Sequence, residues 1–407
     1  MPRESDQSAT QYQDSRVPVP TWIRISIGGA AALLIGMGLG RFSYTPLVPA
    51  LVESGALSAA QAGYVGAFNL LGYLAGALAA LRMRESLGEI RVLKLCLVVS
   101  LICLAASAID LGFAWLAFWR FLVGIAVAVI MIGALTIVTR HAPPDRLGRA
   151  TGICFTGVGT GILLSGTLIP VLLDHGLTAA WAGIAMLGVV AVITGFWGLG
   201  GVTAAPSAAT PDRTPDAAGR PPLTAAVLCL IGGQTMFSLG LVPHTIYWVD
   251  YIVRGLGRDI GFGGLHWVLF GLGAVSGTYL WGRLADRFGF RAGLVLVFAA
   301  LAAGIALPML HPAAWALVFS SLVVGAQPGF SAIISGRTHQ IVGAAHMAQV
   351  WRWMALTSGI FQAAGGHAYV ALFDATGDYT LVFLLGAGAM ALGALISAVP
   401  GRRAISP

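Results

Sequence analysis

Long apolar runs dominate the chain, and they are continuous rather than alternating. Strands that cross a membrane run about ten residues with a polar position at every second step. The runs here extend about 20 residues, the length an α-helix needs to cross roughly 30 Å of hydrocarbon. Read this way, the sequence predicts spans near 23–50, 59–81, 92–109, 114–138, 150–173, 178–200, 224–250, 264–282, 292–310, 313–335, 348–372 and 379–399. Between the sixth and seventh, residues 201–222 (GVTAAPSAATPDRTPDAAGRPP) hold too little apolar surface to order themselves and read as a linker. The expected architecture is an all-α polytopic membrane protein with twelve transmembrane helices in two pseudo-symmetric six-helix bundles. Its parts are a tail (1–22), a first bundle (23–200), the linker (201–222), a second bundle (223–399) and a closing tail (400–407).

Composition excludes a water-facing surface: 57% of the 407 residues are hydrophobic and 10% charged, against about a quarter charged in soluble domains. The four cysteines, Cys96, Cys103, Cys154 and Cys229, lie inside apolar runs and read as small hydrophobes rather than disulfide partners or a metal set. The first apolar run is too long for a signal peptide and is expected to stay as the first span. Of the 23 Lys and Arg, only Arg41, Arg120, Arg254, Arg258 and Arg352 fall outside the segments that are inner if both termini are cytoplasmic. Basic residues are held on that side, so the expected location is the inner or plasma membrane with both termini cytoplasmic. The net charge of +7 then answers to anionic lipid headgroups and asks for no nucleic-acid partner.

An offset of 201 residues aligns the halves in two places. Arg82, Glu85 and Gly88 match Arg283, Asp286 and Gly289, and Phe121–Gly124 match Leu322–Gly325. The segment Gly282-Arg-Leu-Ala-Asp286-Arg287-Phe-Gly289-Phe-Arg291 resembles the loop signature of the major facilitator superfamily. The copy after the second span, Leu81-Arg-Met-Arg-Glu85-Ser86-Leu-Gly88, lacks the leading Gly and the Arg after the acid, and is expected to be the weaker lock. Arg120-Phe-Leu-Val-Gly124 resembles the family's fourth-helix motif, and Pro143-Pro-Asp-Arg146-Leu-Gly-Arg149 the loop after it. Gly36-Met-Gly-Leu-Gly40-Arg41-Phe-Ser-Tyr44-Thr-Pro46 with Trp351-Arg352 is similar to the YbfB/YjiJ branch. The resemblance implies the major facilitator fold and secondary transport, with no named cargo.

Charged groups within a bilayer are usually aimed at a cavity or a partner. At about 1.5 Å per residue, Arg41 lies some 13 Å and Arg120 about 9 Å below the outer face. The resemblance sets spans one and four together beside the cavity. Both guanidiniums are permanently charged and suited to carboxylate or phosphate. Of the 16 acids, none falls mid-span; only Asp110 and Asp250 touch a span end. A coupling proton, where one is used, therefore falls to His244, His367 or the substrate itself. Tyr44, Gln234 and Tyr247 are expected wall groups, and Gln327-Pro328-Gly329 should break span ten facing the cavity. The gating set is Asp250, expected to pair with Arg41 at the outer side, and Gly282, Asp286, Arg287, Gly289 and Arg291, with Asp286 meeting Arg146, Arg149 or the start of span five.

The leading expectation is a monomeric secondary transporter moving a small organic anion by alternating access. Alternatives are an exporter of lipophilic drugs or metabolites and a membrane sensor with the same fold. The signatures HExxH, GxSxG and GxxxxGK[ST] are absent, which argues against an enzyme or an ATP-driven pump. No cofactor or metal is expected.

Overall fold

A computed structural model describes residues 19–202 and 223–399; the predicted linker, most of the N-terminal tail and the C-terminal tail lie outside the described residues. The described residues are helical, with no strand among them. Nine helical stretches among them are long and apolar enough to cross a membrane.

The first predicted span is not one helix. Helix α1 (Thr21–Leu33) passes into a π-helical segment, Leu34–Arg41, then a 3₁₀ segment, Phe42–Leu47, and ends as α2 (Val48–Glu53). Pro46 within the 3₁₀ segment has no N–H to donate, and wide turns of this kind gather at functional sites. The seventh predicted span is broken similarly, into α8 (Ala225–Gly240), α9 (Val242–Asp250) and a π-helical turn, Tyr251–Gly255. The remaining helices before residue 202 are α3 (Ala59–Leu87), α4 (Glu89–Ala106), α5 (Phe113–His141), α6 (Leu147–Leu173) and α7 (Leu177–Gly198).

After residue 223 two elements run past what a bilayer accommodates. Helix α10 (Ile260–Leu310) has 51 residues and turns at Gly289, φ 79°; α12 (Phe330–Thr376) has 47 and turns at Gly343, φ 67°. Only glycine takes such backbone without strain, so one residue does the work of each expected loop. Between them lie α11 (Ala314–Gly325) and the 3₁₀ turn Gln327–Gly329, the break expected in span ten; α13 (Tyr379–Ala398) closes the chain.

The offset of 201 is written into the packing. On α3, added side chains at Gly72 and Gly76 would strike the carbonyls of Phe121 and Ile125 on α5, and one at Gly124 that of Asn69. The α10–α11 crossing repeats this: Gly273 against Leu322, Gly277 against Ala326, and Gly325 against Phe270. Small residues let the backbones touch, as membrane helices require in the absence of a hydrophobic driving force.

Helices before and after the linker meet where α6 packs on α10, α3 on α12, and the 42–47 segment on α9. One face of α6 carries Gly166 and Gly159, two turns apart, opposite Val268 and Val275 on α10, and the same seven-residue steps lead to Gly152 on α6 and Gly282 on α10. A Cβ on Gly166 would stand 2.9 Å from Val268 N and one on Gly159 would strike the Val275 side chain, but beside Gly152 and Gly282 there is nothing within 4 Å. The seam is closed at one end and open at the other. The open end carries Arg84, Arg140, Arg146, Arg149, Arg283, Arg287 and Arg291 and is called the basic end below.

Candidate functional site

At the closed end the two sides interlock through groups supplied by the broken helices. Thr45 Oγ1 in the 3₁₀ segment donates to the Thr245 carbonyl on α9 at 2.5 Å, and Trp267 Nε1 donates to Ser165 Oγ across the α10–α6 seam at 3.2 Å. The Tyr247 hydroxyl lies against Gly63 of α3, where any side chain would collide with it. Tyr44 is 2% exposed and donates to the Ala62 carbonyl at 2.7 Å. Tyr44 and Tyr247 are thus brought together as a closure at this end.

Beneath it lie the arginines. Arg120 is buried, its guanidinium carbon 4.9 Å from the Tyr44 ring centre, and its Nη2 donates to the Arg41 carbonyl at 3.2 Å. Arg41, half-buried at the end of the π-helical segment, sits 5.5 Å from the Tyr73 ring centre and 5.6 Å from that of Phe42. The two expected charges are therefore neighbours. Asn69 Nδ2 holds the Arg120 carbonyl at 3.1 Å, fixing α5 against α3.

Asp250 does not approach Arg41 as expected. Its carboxylate accepts from Arg254 Nη1 at 3.2 Å and from the Tyr379 hydroxyl at 2.6 Å. One turn of helix puts Arg254 beside it, while the wide π turn at 251–255 lets α13 close over both. His244 is also drawn away from the seam, bonded at 2.9 Å to Ser320 Oγ and stacked on Trp248 at 4.6 Å. Next to it, Ser321 Oγ receives Trp248 Nε1 at 3.1 Å and bonds His266 Nδ1 at 3.1 Å. Gln234 on α8 and Gln327 in the 3₁₀ turn are half-buried and stand apart from the arginines. His367 lies in the α12–α3 seam, 6.2 Å from Tyr64 and 5.6 Å from Phe68 between ring centres.

At the basic end Asp286 is exposed, as are Arg287, Gly289, Arg291 and Arg149; Gly282 is half-buried. Asp286 makes no ion pair among the described residues; Arg146 instead meets its neighbour Asp145 at 2.9 Å, and Arg291 donates to the Ala398 carbonyl. Sequence reasoning missed Glu89, which accepts from Arg84 at 2.5 Å and from Arg140 at 2.7 Å, tying α3, α4 and α5 together. Its position at the first residue of a helix was the available signal, since acids are favoured there. Thr45, Ser165, Ser320, Ser321 and His266 were also missed, because their partners are remote in sequence.

A family model described as "Uncharacterised MFS-type transporter YbfB" matches residues 33–398. Among solved structures, the chain is similar to a D-xylose-proton symporter, with a TM-score of 0.74, 14% identity, and coverage of 95% of this chain and 100% of that one. It is also similar to the nucleoside transporter NupG, with a TM-score of 0.75, 13% identity, and coverage of 93% and 99%. No curated protein matches in sequence.

Proposed function

The chain belongs to the YbfB-type family of major facilitator transporters, and from that premise we propose that it moves a small organic anion across the cell membrane by alternating access as a monomer. Counting the two arms of α10 about Gly289 as separate crossings, α11 with the arm of α12 before Gly343 as one and the arm after Gly343 as another gives six per half. The bundles are 23–200 and 223–399, joined by a cytoplasmic linker, with the basic end and both termini in the cytoplasm. The conformation is then inward-facing, with Tyr44, Tyr247 and Thr45 closing the outer side. Asp250 fastens α9 to α13 within that closure. On closing of the inner side, Asp286 meets the start of α6 with Arg146 or Arg149, and Gly282, Arg287, Gly289 and Arg291 shape the loop that carries it. Gln234 and Gln327 are wall groups of the inner cavity, and His244, His367 or the substrate carries any coupling proton.

One observation carries the choice of anion: the Arg120 guanidinium reaches the backbone carbonyl of Arg41, which sets both arginines at one place within the membrane region, and no carboxylate pairs with either among the described residues. Two fixed positive charges in a low-dielectric wall attract an anion and repel a cation. The test is uptake into proteoliposomes from a panel of anionic, neutral and cationic solutes. An anionic solute is expected to be taken up, with Arg41→Gln lowering uptake about tenfold or more, as loss of a charge-assisted contact does. Uptake confined to neutral or cationic solutes, or unaffected by Arg41→Gln, overturns the reading.

A further inference from the structure

The first half holds a set of buried polar atoms that nothing else among the described residues satisfies. Arg120 is 1% exposed. Its Nη2 reaches the Arg41 carbonyl, but its Nε and Nη1 are buried with no hydrogen-bond partner among the described residues, as are Arg41 Nε and Trp119 Nε1. Every one of these atoms is a donor. Buried donors left unpaired are rare and call for an acceptor. The neighbouring rings do not supply it: Tyr44 and Tyr73 stack against the two guanidiniums, and a ring takes the face of a guanidinium while the N–H groups lie in its plane. Nor do carboxylates supply it, since Asp250, the buried acid nearest this level, is taken by Arg254 and Tyr379.

The equivalent place in the second half shows what satisfaction looks like. At the offset of 201, Arg120 corresponds to Ser321, which is neutral and bonded to both Trp248 and His266. Only the first half carries charge at this position.

We propose that Arg120, with Arg41 and Trp119, binds one small inorganic anion of the halide class inside the first half. The neighbouring wall is close-packed and aliphatic. Val123 and Val127 are buried, and a Cβ on Gly40 would stand 3.0 Å from Val123 Cγ2. A monatomic anion needs donors and no particular shape. The site shares both arginines with the substrate reading and differs from it in resting on the unpaired donors of Arg120 and Trp119. It also touches the closure: Tyr44, stacked on Arg120, bonds Ala62 at the closed end, so the anion stabilises the outward-closed form.

The experiment titrates sodium chloride into the purified protein in sodium gluconate at constant ionic strength, following the unfolding midpoint. A saturable rise is expected. Arg120→Lys, which keeps the charge but not the planar donors, should weaken half-saturation by about tenfold, and Arg120→Gln should abolish the rise. Equal midpoints in chloride and gluconate, or an unchanged chloride response in Arg120→Gln, overturn the proposal; water alone then fills the donors. If Arg120→Gln fails to fold, Trp119→Phe takes its place and should weaken the response, an unchanged response again overturning it. Uptake assays in chloride-free gluconate separate the two readings. A chloride response without organic-anion uptake breaks only the substrate reading, and uptake without a chloride response breaks only this one.

Discussion

The turn between α3 and α4 and the turn within α10 have the same backbone and are held by different chemistry. Gly88 takes φ 84° and Gly289 φ 79°, 201 residues apart. One residue after each glycine, the first half has Glu89 and the second Phe290. Glu89 binds Arg84 and Arg140, whose equivalents in the second half, Ala285 and Ile341, offer no charge. Phe290 instead presses its ring onto Gly336, where even a methyl group would collide with it. An ionic staple and an aromatic peg thus serve one purpose, which is to fix each turn to its own half. The acids that precede them, Glu85 and Asp286, stay exposed in both. A family signature read from sequence points at Asp286, yet what secures the turn itself is the residue four positions on.

Removing the peg should give the largest effect on stability. Phe290→Ala strips a half-buried ring from a site shaped to receive it, and truncations of that kind cost about 2–4 kcal/mol. The expected result is an unfolding midpoint in detergent well below that of the parent. Glu cannot replace Phe290, because it lacks the ring that fills the space beside Gly336 and finds Ala285 and Ile341 where the first half has Arg84 and Arg140. A stable Phe290→Glu protein would break the contrast between staple and peg.

The second comparison, Arg120 against Ser321, is sharpened by Ser321→Ala. This leaves Trp248 Nε1 without an acceptor and His266 Nδ1 without its partner inside apolar helices. Orphaned buried groups cost about 1–3 kcal/mol. The midpoint should fall by less than for Phe290→Ala, and any chloride response should persist, since that belongs to the other half. Loss of the chloride response in Ser321→Ala would show that the two halves do not divide the work this way.

Much of this was legible in sequence and some was not, for physical reasons. The family followed from short segments whose residue types are fixed by backbone geometry, such as the glycines that admit helix crossings and the left-handed turn at Gly289. The offset of 201 was visible in a few matched letters, and the packing of Gly72, Gly76 and Gly124 against their counterparts explains why those letters recur. The π and 3₁₀ segments of 34–47 left no comparable trace, because a wide turn changes hydrogen-bond register and not hydrophobicity. Partners were the least legible. The expected pairing of Asp250 with Arg41 rests on their places in the outer parts of spans seven and one and on the rocking motion that the family resemblance implies, whereas Arg254 stands one turn away in the same helical stretch and Tyr379 is remote in sequence. Depth sets Arg41 and Arg120 at one level, where the Arg120 guanidinium reaches the Arg41 carbonyl, but hydropathy does not say that Arg120 would turn into its own bundle.

The smallest expected effect on stability, and the most informative about conformation, is that of Asp286→Asn. In the conformation described the side chain is exposed and makes no ion pair among the described residues, so its loss should leave the unfolding midpoint unchanged. Its contribution belongs to the other conformation, where the α6 N-terminus with its unpaired N–H groups, and Arg146 or Arg149, would come within reach. Near water such a contact contributes about 0.5–2 kcal/mol, enough to shift a balanced two-state equilibrium several-fold. Transport should fall, and a cysteine placed at Gly152 or Gly282, the open end of the α6–α10 seam, should react faster with a soluble thiol reagent. Glu85→Gln serves as the internal control, since the first-half turn is the weaker match to the family signature. Equal effects of the two substitutions, or unchanged labelling in Asp286→Asn, would remove Asp286 as the lock and leave the inner side to be closed by packing alone.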